Sequence, residues 1–393
     1  MPVAPGQSPR QLETAGPEGR HIETETEITA NVPATDSCSW PIRSPSIGEV
    51  EDPYSAHFHP GRLGRQPDGV LPVEGLQMSR GFEHRPAMVG EVVALLAQVP
   101  SGVIVDATVG GGGHARAVLD AHPHLTVLGI DRDPAAVAAA SDALAAYGDR
   151  AVVRRARFDR LREVVDDVGR APVSGVLFDL GVSSAQVDAA ARGFSYRHDA
   201  PLDMRMDPSE RRTAADVVNG MSEAELGRLL AANGEGRFAR RIAAAIVAAR
   251  PLATTGQLAD VARDAIPAPA RRRGGHPARR VFQAVRIEVN RELVVLDRGL
   301  DLAIDLLVPG GRCVVLSYHS GEDRMVKQRF ADAVTGGCTC PPGLPCVCGA
   351  RPRGRLVGRG ARRPSAAEVE ANPRAASARL RALERLDDSG PDS

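Results

Sequence analysis

Three apolar runs of this chain end in aspartate, and four consecutive glycines follow the first of them. Val103-Ile-Val-Asp106 leads through Ala-Thr-Val into Gly110-Gly-Gly-Gly-His114; Val127-Leu-Gly-Ile-Asp131 and Gly175-Val-Leu-Phe-Asp179 come later. Glycines let a backbone turn tightly and approach a ligand, and a helix starting near His114 offers unpaired N–H groups to an anionic part of it. Asp131, about 20 residues past the loop, stands where a carboxylate accepts from both hydroxyls of a ribose. This is the chemistry of a nucleotide-type cofactor cradle. Gly110-x-Gly112-x-x-Ala115 also satisfies the dinucleotide spacing, so NAD has to be weighed against S-adenosylmethionine.

The neighbouring residues separate the two. An acid closing the strand before the loop, as Asp106 does, is common in methyltransferases, where it helps hold a sulfonium ligand or caps the loop's own N–H groups. Dehydrogenases usually lack it. His114 reads as a loop-orienting residue placed to touch the cofactor. Phe158 can pack on an adenine face or in the core. Asp179 is the sharper signal, because enzymes that methylate exocyclic amines need an acceptor at such a strand end. The amine lone pair is delocalised into its ring, and hydrogen bonds to its N–H groups favour a pyramidal nitrogen aimed at the methyl. The transfer is an in-line displacement that depends on positioning and electrostatics.

These residues need a frame. Strand and helix signals alternate from Pro86 to Asp179, with helices expected over Pro86–Gln98, Ala115–Ala121 and Pro134–Tyr147 and strands between them, which implies a parallel, doubly wound sheet with its ligand at the strands' carboxyl ends. The rhythm breaks between Arg192 and Glu288, where Ser222-x-x-Glu225 is a capping box and three amphipathic helices follow. A long helix over Ala284–Leu306, a turn at Pro309-Gly-Gly311, a strand over Arg312–Ser317 and a helix over Met325–Val334 return to the sheet. The fold class expected is an α/β, Rossmann-like S-adenosylmethionine-dependent methyltransferase with an inserted helical domain. The expected bounds are an extension over 1–77, a methyltransferase part over 78–191, the insertion over 192–288, a second methyltransferase part over 289–335, and a basic, loop-rich segment over 336–393 with a last helix near Ala376–Leu386.

Composition limits the alternatives. Hydrophobic residues are 43% of the 393, enough for a sizeable core. Residues 1–77 are rich in Pro, Gly, Ser, Thr and Glu without sustained periodicity, as in segments that stay unfolded or come from an upstream start codon. They carry an acidic excess that the rest of the chain balances, for a net charge of zero. No apolar run is long enough to span a membrane, and the first residues do not form a secretion signal, so a cytoplasmic enzyme is the expectation.

The motifs together resemble a known family. Glu83-His-Arg-Pro86, the glycine loop with Asp106 and His114, Gly129-Ile-Asp-Arg-Asp-Pro134, Asp179-Leu-Gly-Val-Ser-Ser-x-Gln186, Arg192-Gly-Phe-Ser-Tyr196, Pro201-Leu-Asp-Met-Arg-Met206, Phe282-Gln-Ala-Val-Arg-Ile-Glu-Val-Asn-Arg-Glu-Leu293, Ser317-Tyr-His-Ser-Gly-Glu-Asp-Arg324 and Asn372-Pro-Arg-Ala-Ala-Ser-Ala-Arg-Leu380 look like the ribosomal RNA small subunit methyltransferase H family. The resemblance implies S-adenosylmethionine-dependent N4-methylation of a cytosine in the decoding region of 16S ribosomal RNA, with the small ribosomal subunit as partner. It implies cofactor contacts at Gly112, Gly113, His114, Asp131, Phe158, Asp179 and Gln186. Many amino-methyltransferases follow the strand-end acid with Pro-Pro and an aromatic; here Leu180, Gly181 and Val182 follow, so base stacking must come from elsewhere. Phe194 and Tyr196 are candidates, with core packing as the alternative.

Arg271, Arg272 and Arg273 open a basic segment that can neutralise phosphates without reading sequence, or can be a solvated loop. Cys338-x-Cys340 and Cys346-x-Cys348 can close around tetrahedral zinc, although free thiols fit the same sequence and no metal ligand is assigned. Two other readings remain open from the residues: an NAD-linked oxidoreductase, and an RNA-binding ribosome-assembly protein without catalysis.

Overall fold

The computed structural model describes residues 86–271, 276, 278–341 and 346–387. The expected 1–77 extension lies outside them. In chain order the elements are α1 (Val89–Leu96), β1 (Gly102–Asp106), α2 (Gly113–Ala121), β2 (Leu125–Asp131), α3 (Pro134–Leu144), β3 (Ala151–Arg155), α4 (Leu161–Val168), β4 (Val173–Asp179) and α5 (Ser184–Asp188). Next come α6 (Ala214–Gly220), α7 (Glu223–Ala232), α8 (Ala239–Ala248), α9 (Thr255–Ala265), α10 (Ala268–Arg271), α11 (Ala278–Asn290), α12 (Glu292–Leu306), β5 (Leu307–Ser317), α13 (Ser320–Thr335), β6 (Gly354–Leu356), α14 (Ala366–Ala371) and β7 (Arg379–Arg385).

The seven strands form one sheet in the order β3-β2-β1-β4-β5-β7-β6, parallel from β3 to β5, with β7 antiparallel to both of its neighbours. The order reverses between β1 and β4, and in doubly wound sheets the ligand crevice lies at the carboxyl edge of that point. The apolar runs are unbroken because both faces are covered. Ile104 and Val127 pack with α1, α2 and α3 on one side, and Val105 and Ile130 with α4, α12 and α13 on the other. This is the Rossmann-like methyltransferase architecture. No helix among the described residues is long and apolar enough to cross a membrane.

The inserted helices have a core of their own, built on Leu226, Leu230, Ile242, Ile246, Leu258 and Phe282. Three of them begin at capping boxes, at Thr213, Ser222 and Thr254, which satisfy otherwise orphaned N–H groups at each helix start.

Three expectations need correction. The helix expected over Ala284–Leu306 is two helices: Arg291 sits between α11 and α12 at φ +52. The break has a cause, because the buried Asn290 side chain donates to the Met204 carbonyl at 2.8 Å and accepts from the Met206 N–H at 2.8 Å, while its own carbonyl accepts from Arg132 at 2.9 Å. The expected turn at Pro309 lies within β5, as a register shift in its pairing with β4. The last helix expected near Ala376–Leu386 is the strand β7. Its Glu384 stands opposite Arg312 in register, and the Arg312 guanidinium donates to that carboxylate at 2.8 Å and to the Leu95 carbonyl at 2.7 Å. A buried cross-strand ion pair and a free edge of β5 outweigh local helix propensity.

Candidate active site

The loop between β1 and α2 is shaped by its glycines at two points. Gly112 has φ +81, where a side chain is strained. At Gly113 an added Cβ would come within 2.3 Å of Pro86. Asp131 fixes the loop from the neighbouring strand, accepting from the Gly110 N–H at 3.1 Å and the Asp133 N–H at 2.9 Å. Burial raises the Asp131 pKa, partly offset by these N–H groups. Asp106 is 2% exposed and accepts from the Thr108 N–H at 3.3 Å, so it caps the loop. Burial pushes its carboxyl up to about 7, against the opposing pull of His114 and with added repulsion from Asp179 and Asp131.

Asp179 ends β4, on the far side of the switch point, with its side chain 21% exposed. The Tyr318 hydroxyl donates to Oδ1 at 2.6 Å, His114 Nε2 lies 3.4 Å from Oδ2, and the Asp179 N–H donates to Thr108 Oγ1 at 2.6 Å. His114 is buried; its Nε2 faces Asp179 at ion-pair distance without a well-aligned hydrogen bond, and Nδ1 has no hydrogen-bond partner among the described residues. Burial pushes its pKa down, but the pairing with Asp179 and the charges of Asp106 and Glu368 outweigh this and raise it. Tyr318 becomes a much weaker acid through burial and the adjacent Asp179. Three carboxylates and an imidazole from β1, β2, β4 and α2 therefore surround one glycine loop.

The sequence reading missed Tyr318 and Thr108. Both stand inside motifs quoted for the resemblance, and Tyr318 directly follows a strand's carboxyl end, the position that should have singled it out. His319, by contrast, caps α13: its Nδ1 accepts from the Gly321 N–H at 3.2 Å, while Glu322 accepts from the N–H groups of Tyr318 and His319 at 2.9 and 3.2 Å.

The structure gives the other expected contact residues these protein neighbours. Gln186 is 5% exposed, its amide donating to Asp133 Oδ2 at 2.8 Å and accepting from the Ser183 N–H at 3.0 Å. One N–H and one lone pair of the amide are thus engaged inside the protein, which fixes its orientation beside Asp133. The Phe158 ring stands edge-on to Phe178 at 5.4 Å and lies against Gly299 of α12. Phe194 and Tyr196 pack at the edge of the insertion's core; Tyr196 stacks on His276 at 4.5 Å and meets Phe282 edge-on. These contacts are those of packing aromatics. Arg271 lies 3.5 Å from Asp264, and Arg272 and Arg273 fall outside the described residues.

The site suits a cationic ligand. Its loop permits close backbone approach, its carboxylates favour positive charge, and a buried imidazole has unfilled hydrogen-bonding capacity. S-adenosylmethionine has the adenosine and the sulfonium that such a pocket accommodates, with Gly112, Gly113, His114 and Asp131 as the groups that would hold it.

Titration in this pocket has a readable direction. The folded chain keeps a proton on Asp106 that the unfolded chain releases, so that contribution to stability is whole below the ordinary carboxyl range and is lost as pH rises through about 7. Over the same rise the pocket becomes more negative. Affinity for S-adenosylmethionine is therefore expected to tighten by on the order of tenfold between about pH 6 and pH 8, and affinity for uncharged S-adenosylhomocysteine far less. Calorimetric titration of both ligands across that range checks this; parallel pH curves would discard it. Asp106→Asn is expected to flatten the difference.

The chain is similar to known proteins. Ribosomal RNA small subunit methyltransferase H of Acidothermus cellulolyticus is 56% identical over 313 residues, covering 78% of this chain and 94% of that protein. The protein of the same name from Mycobacterium sp. (strain KMS) is 47% identical over 367 residues, covering 91% of this chain and 95% of that protein. Among solved structures, an rRNA methylase from Streptococcus thermophilus aligns at 13% identity with a TM-score of 0.35, covering 78% of this chain and all of that one. The sequence pattern of the MraW methylase family matches residues 81–386, from ahead of the glycine loop to the end of β7. That match takes in the cradle, the strand-end carboxylate and the inserted helices alike, and the chain belongs to the MraW methylase family.

Proposed function

We propose that this chain methylates the N4 amino group of a cytosine in the decoding region of small-subunit ribosomal RNA, using S-adenosylmethionine. The observation that carries the reading is Asp179, held by Tyr318 and His114 at the carboxyl end of β4 beside the glycine loop. Its relatives' names supply the RNA, and its own residues supply the chemistry. The dinucleotide reading does not account for Asp179 or for membership in a methylase family.

When bound, S-adenosylmethionine supplies a methyl on a cationic sulfur that leaves uncharged with the bonding pair. Asp179 accepts from an amino N–H and so draws the nitrogen lone pair out of conjugation. Positive charge grows on that nitrogen during transfer, and Asp179 stands on its side of the site to meet it. Tyr318, donating to Oδ1, fixes the orientation of the carboxylate; Thr108 fixes the backbone beneath it. Asp131 and Asp106 hold the loop rigid, so little reorganisation remains at the moment of reaction.

The inserted helices are the RNA half of this proposal. Arg192 ties the segment that enters the insertion to the sheet, donating to Asp133 at 2.9 Å and to the Arg205 and Met206 carbonyls at 2.8 and 2.9 Å. Arg271, the last residue of α10, and Arg272 and Arg273 after it are the phosphate contacts of the proposal.

Mass spectrometry of small-subunit RNA after incubation with the protein and isotopically labelled S-adenosylmethionine tests the assignment. One labelled cytosine in the decoding region is the expected product. Label on another base, or none on subunits lacking the modification, would refute it.

A further inference from the structure

Beyond the sheet, the connection from α13 to β6 has a feature the methylation chemistry does not use. The Sγ atoms of Cys338, Cys340, Cys346 and Cys348 all lie within 4.8 Å of one another. Cys338 and Cys346 are 3.4 Å apart, Cys346 and Cys348 3.4 Å, and Cys348 and Cys338 3.6 Å. A tetrahedral zinc tetrathiolate, with Zn–S bonds of about 2.3 Å, has sulfur–sulfur edges of about 3.8 Å. A disulfide would need about 2.0 Å, and a cluster of two irons would spread its thiolates over two centres. The arrangement matches one metal ion enclosed by four sulfurs.

The surroundings agree. The Val347 N–H points at Cys340 Sγ at 3.4 Å, the kind of outer bond that stabilises a coordinating thiolate. No guanidinium or ammonium pairs with these sulfurs among the described contacts. That distinguishes them from Glu292, His319 and Glu322, which also cluster but already hold Arg286, 2.8 Å from Glu292, and cap α13. The loop also has a reason to need a metal. Its stem is pinned where the Arg353 N–H donates to the Ala333 carbonyl at 2.8 Å, yet the described residues at its tip are exposed or half-buried, with Val347 at 89% exposure. Apolar burial cannot order such a tip, whereas a four-way metal crosslink can.

We propose that Cys338, Cys340, Cys346 and Cys348 bind one structural zinc ion as thiolates, fixing the loop that delivers β6 to the edge of β7. Four soft sulfurs in tetrahedral array with no open position select zinc and leave no place for a reacting ligand.

The test uses the full chain, purified under reducing conditions without chelator, with metals measured by plasma mass spectrometry. One zinc per chain is expected, with these thiols slow to react until a mercurial displaces the metal. If the purified chain is empty, zinc added to the reduced protein is expected to bind at one equivalent, and cobalt to give the charge-transfer absorption of a tetrahedral tetrathiolate. Cys346→Ser with Cys348→Ser should abolish both while circular dichroism and S-adenosylmethionine binding persist. Failure of the reduced chain to take up zinc, retention of one zinc in the double variant, or stoichiometric iron instead would each overturn the site.

Discussion

Asp179→Ala is expected to lower methyl transfer by on the order of 10²–10⁴-fold while leaving the dissociation constant for S-adenosylmethionine within about tenfold. The asymmetry follows from geometry. Asp179 sits at the end of β4, while the loop glycines and Asp131, to which the proposal gives the cofactor, lie at the ends of β1 and β2. Removing the carboxylate strips the acceptor from the amine and leaves the Tyr318 hydroxyl and His114 without their shared partner. Asp179→Asn keeps an acceptor oxygen but not the charge, and should fall between. Tyr318→Phe leaves the carboxylate present but less constrained, and should cost least. Single-turnover transfer of labelled methyl to ribosomal subunits, beside calorimetric cofactor binding, separates the two quantities. A D179A protein that methylates at the normal rate would end the catalytic assignment of Asp179.

Asp133→Ala should be the most damaging substitution to stability near the site, by about 3–5 kcal/mol. Asp133 is 2% exposed and serves three partners: the Ala135 N–H at the start of α3 at 3.0 Å, the Gln186 amide at 2.8 Å and Arg192 at 2.9 Å. Its loss takes the charge partner from Arg192, which keeps only the Arg205 and Met206 carbonyls, and the acceptor from the Gln186 amide N–H, on top of a missing helix cap, which alone is worth about 1 kcal/mol. The damage also spreads, because Arg192 holds the segment leading into the insertion. Urea denaturation of D133A and of the D133A/R192A pair measures it. The double variant should recover part of the loss, since it removes the orphaned charge. A cost below about 1 kcal/mol for D133A would show that water fills the gap and that the hub is dispensable.

Much of the site is legible without coordinates because its signals are local. An apolar run that ends in aspartate places the acid at a strand's carboxyl end, and glycines after it mark a turn that only they can make. Asp106, Asp131, Asp179 and His114 were found that way, and the structure gathers them around one loop. The alternation of strands and helices likewise gave the doubly wound sheet. The side chains' partners were less legible. Gln186 stands in a motif that the resemblance ties to the cofactor, and its amide also bonds Asp133 and Ser183, partners the motif does not announce. No spacing along the chain tells which way an amide turns.

The sequence by itself determined the methyltransferase frame, the glycine loop and the strand-end carboxylates, since each depends on residues within a few positions of one another. Tertiary structure alone decided the rest. Residues 379–385 are arginine, leucine, alanine and glutamate, all good helix formers, but they lie on the free edge of β5 with Glu384 facing Arg312, and they form β7. Nothing in the run from Ala284 to Leu306 announces a break, but Asn290 is held by Met204, Met206 and Arg132, and the helix divides there. Four cysteines in two C-x-C pairs were ambiguous until folding placed their sulfurs within reach of a single ion. In each case the deciding partner is distant in sequence or set by how a loop closes. Local propensity, worth a few tenths of a kcal/mol per residue, yields to a buried ion pair or a filled hydrogen-bond network.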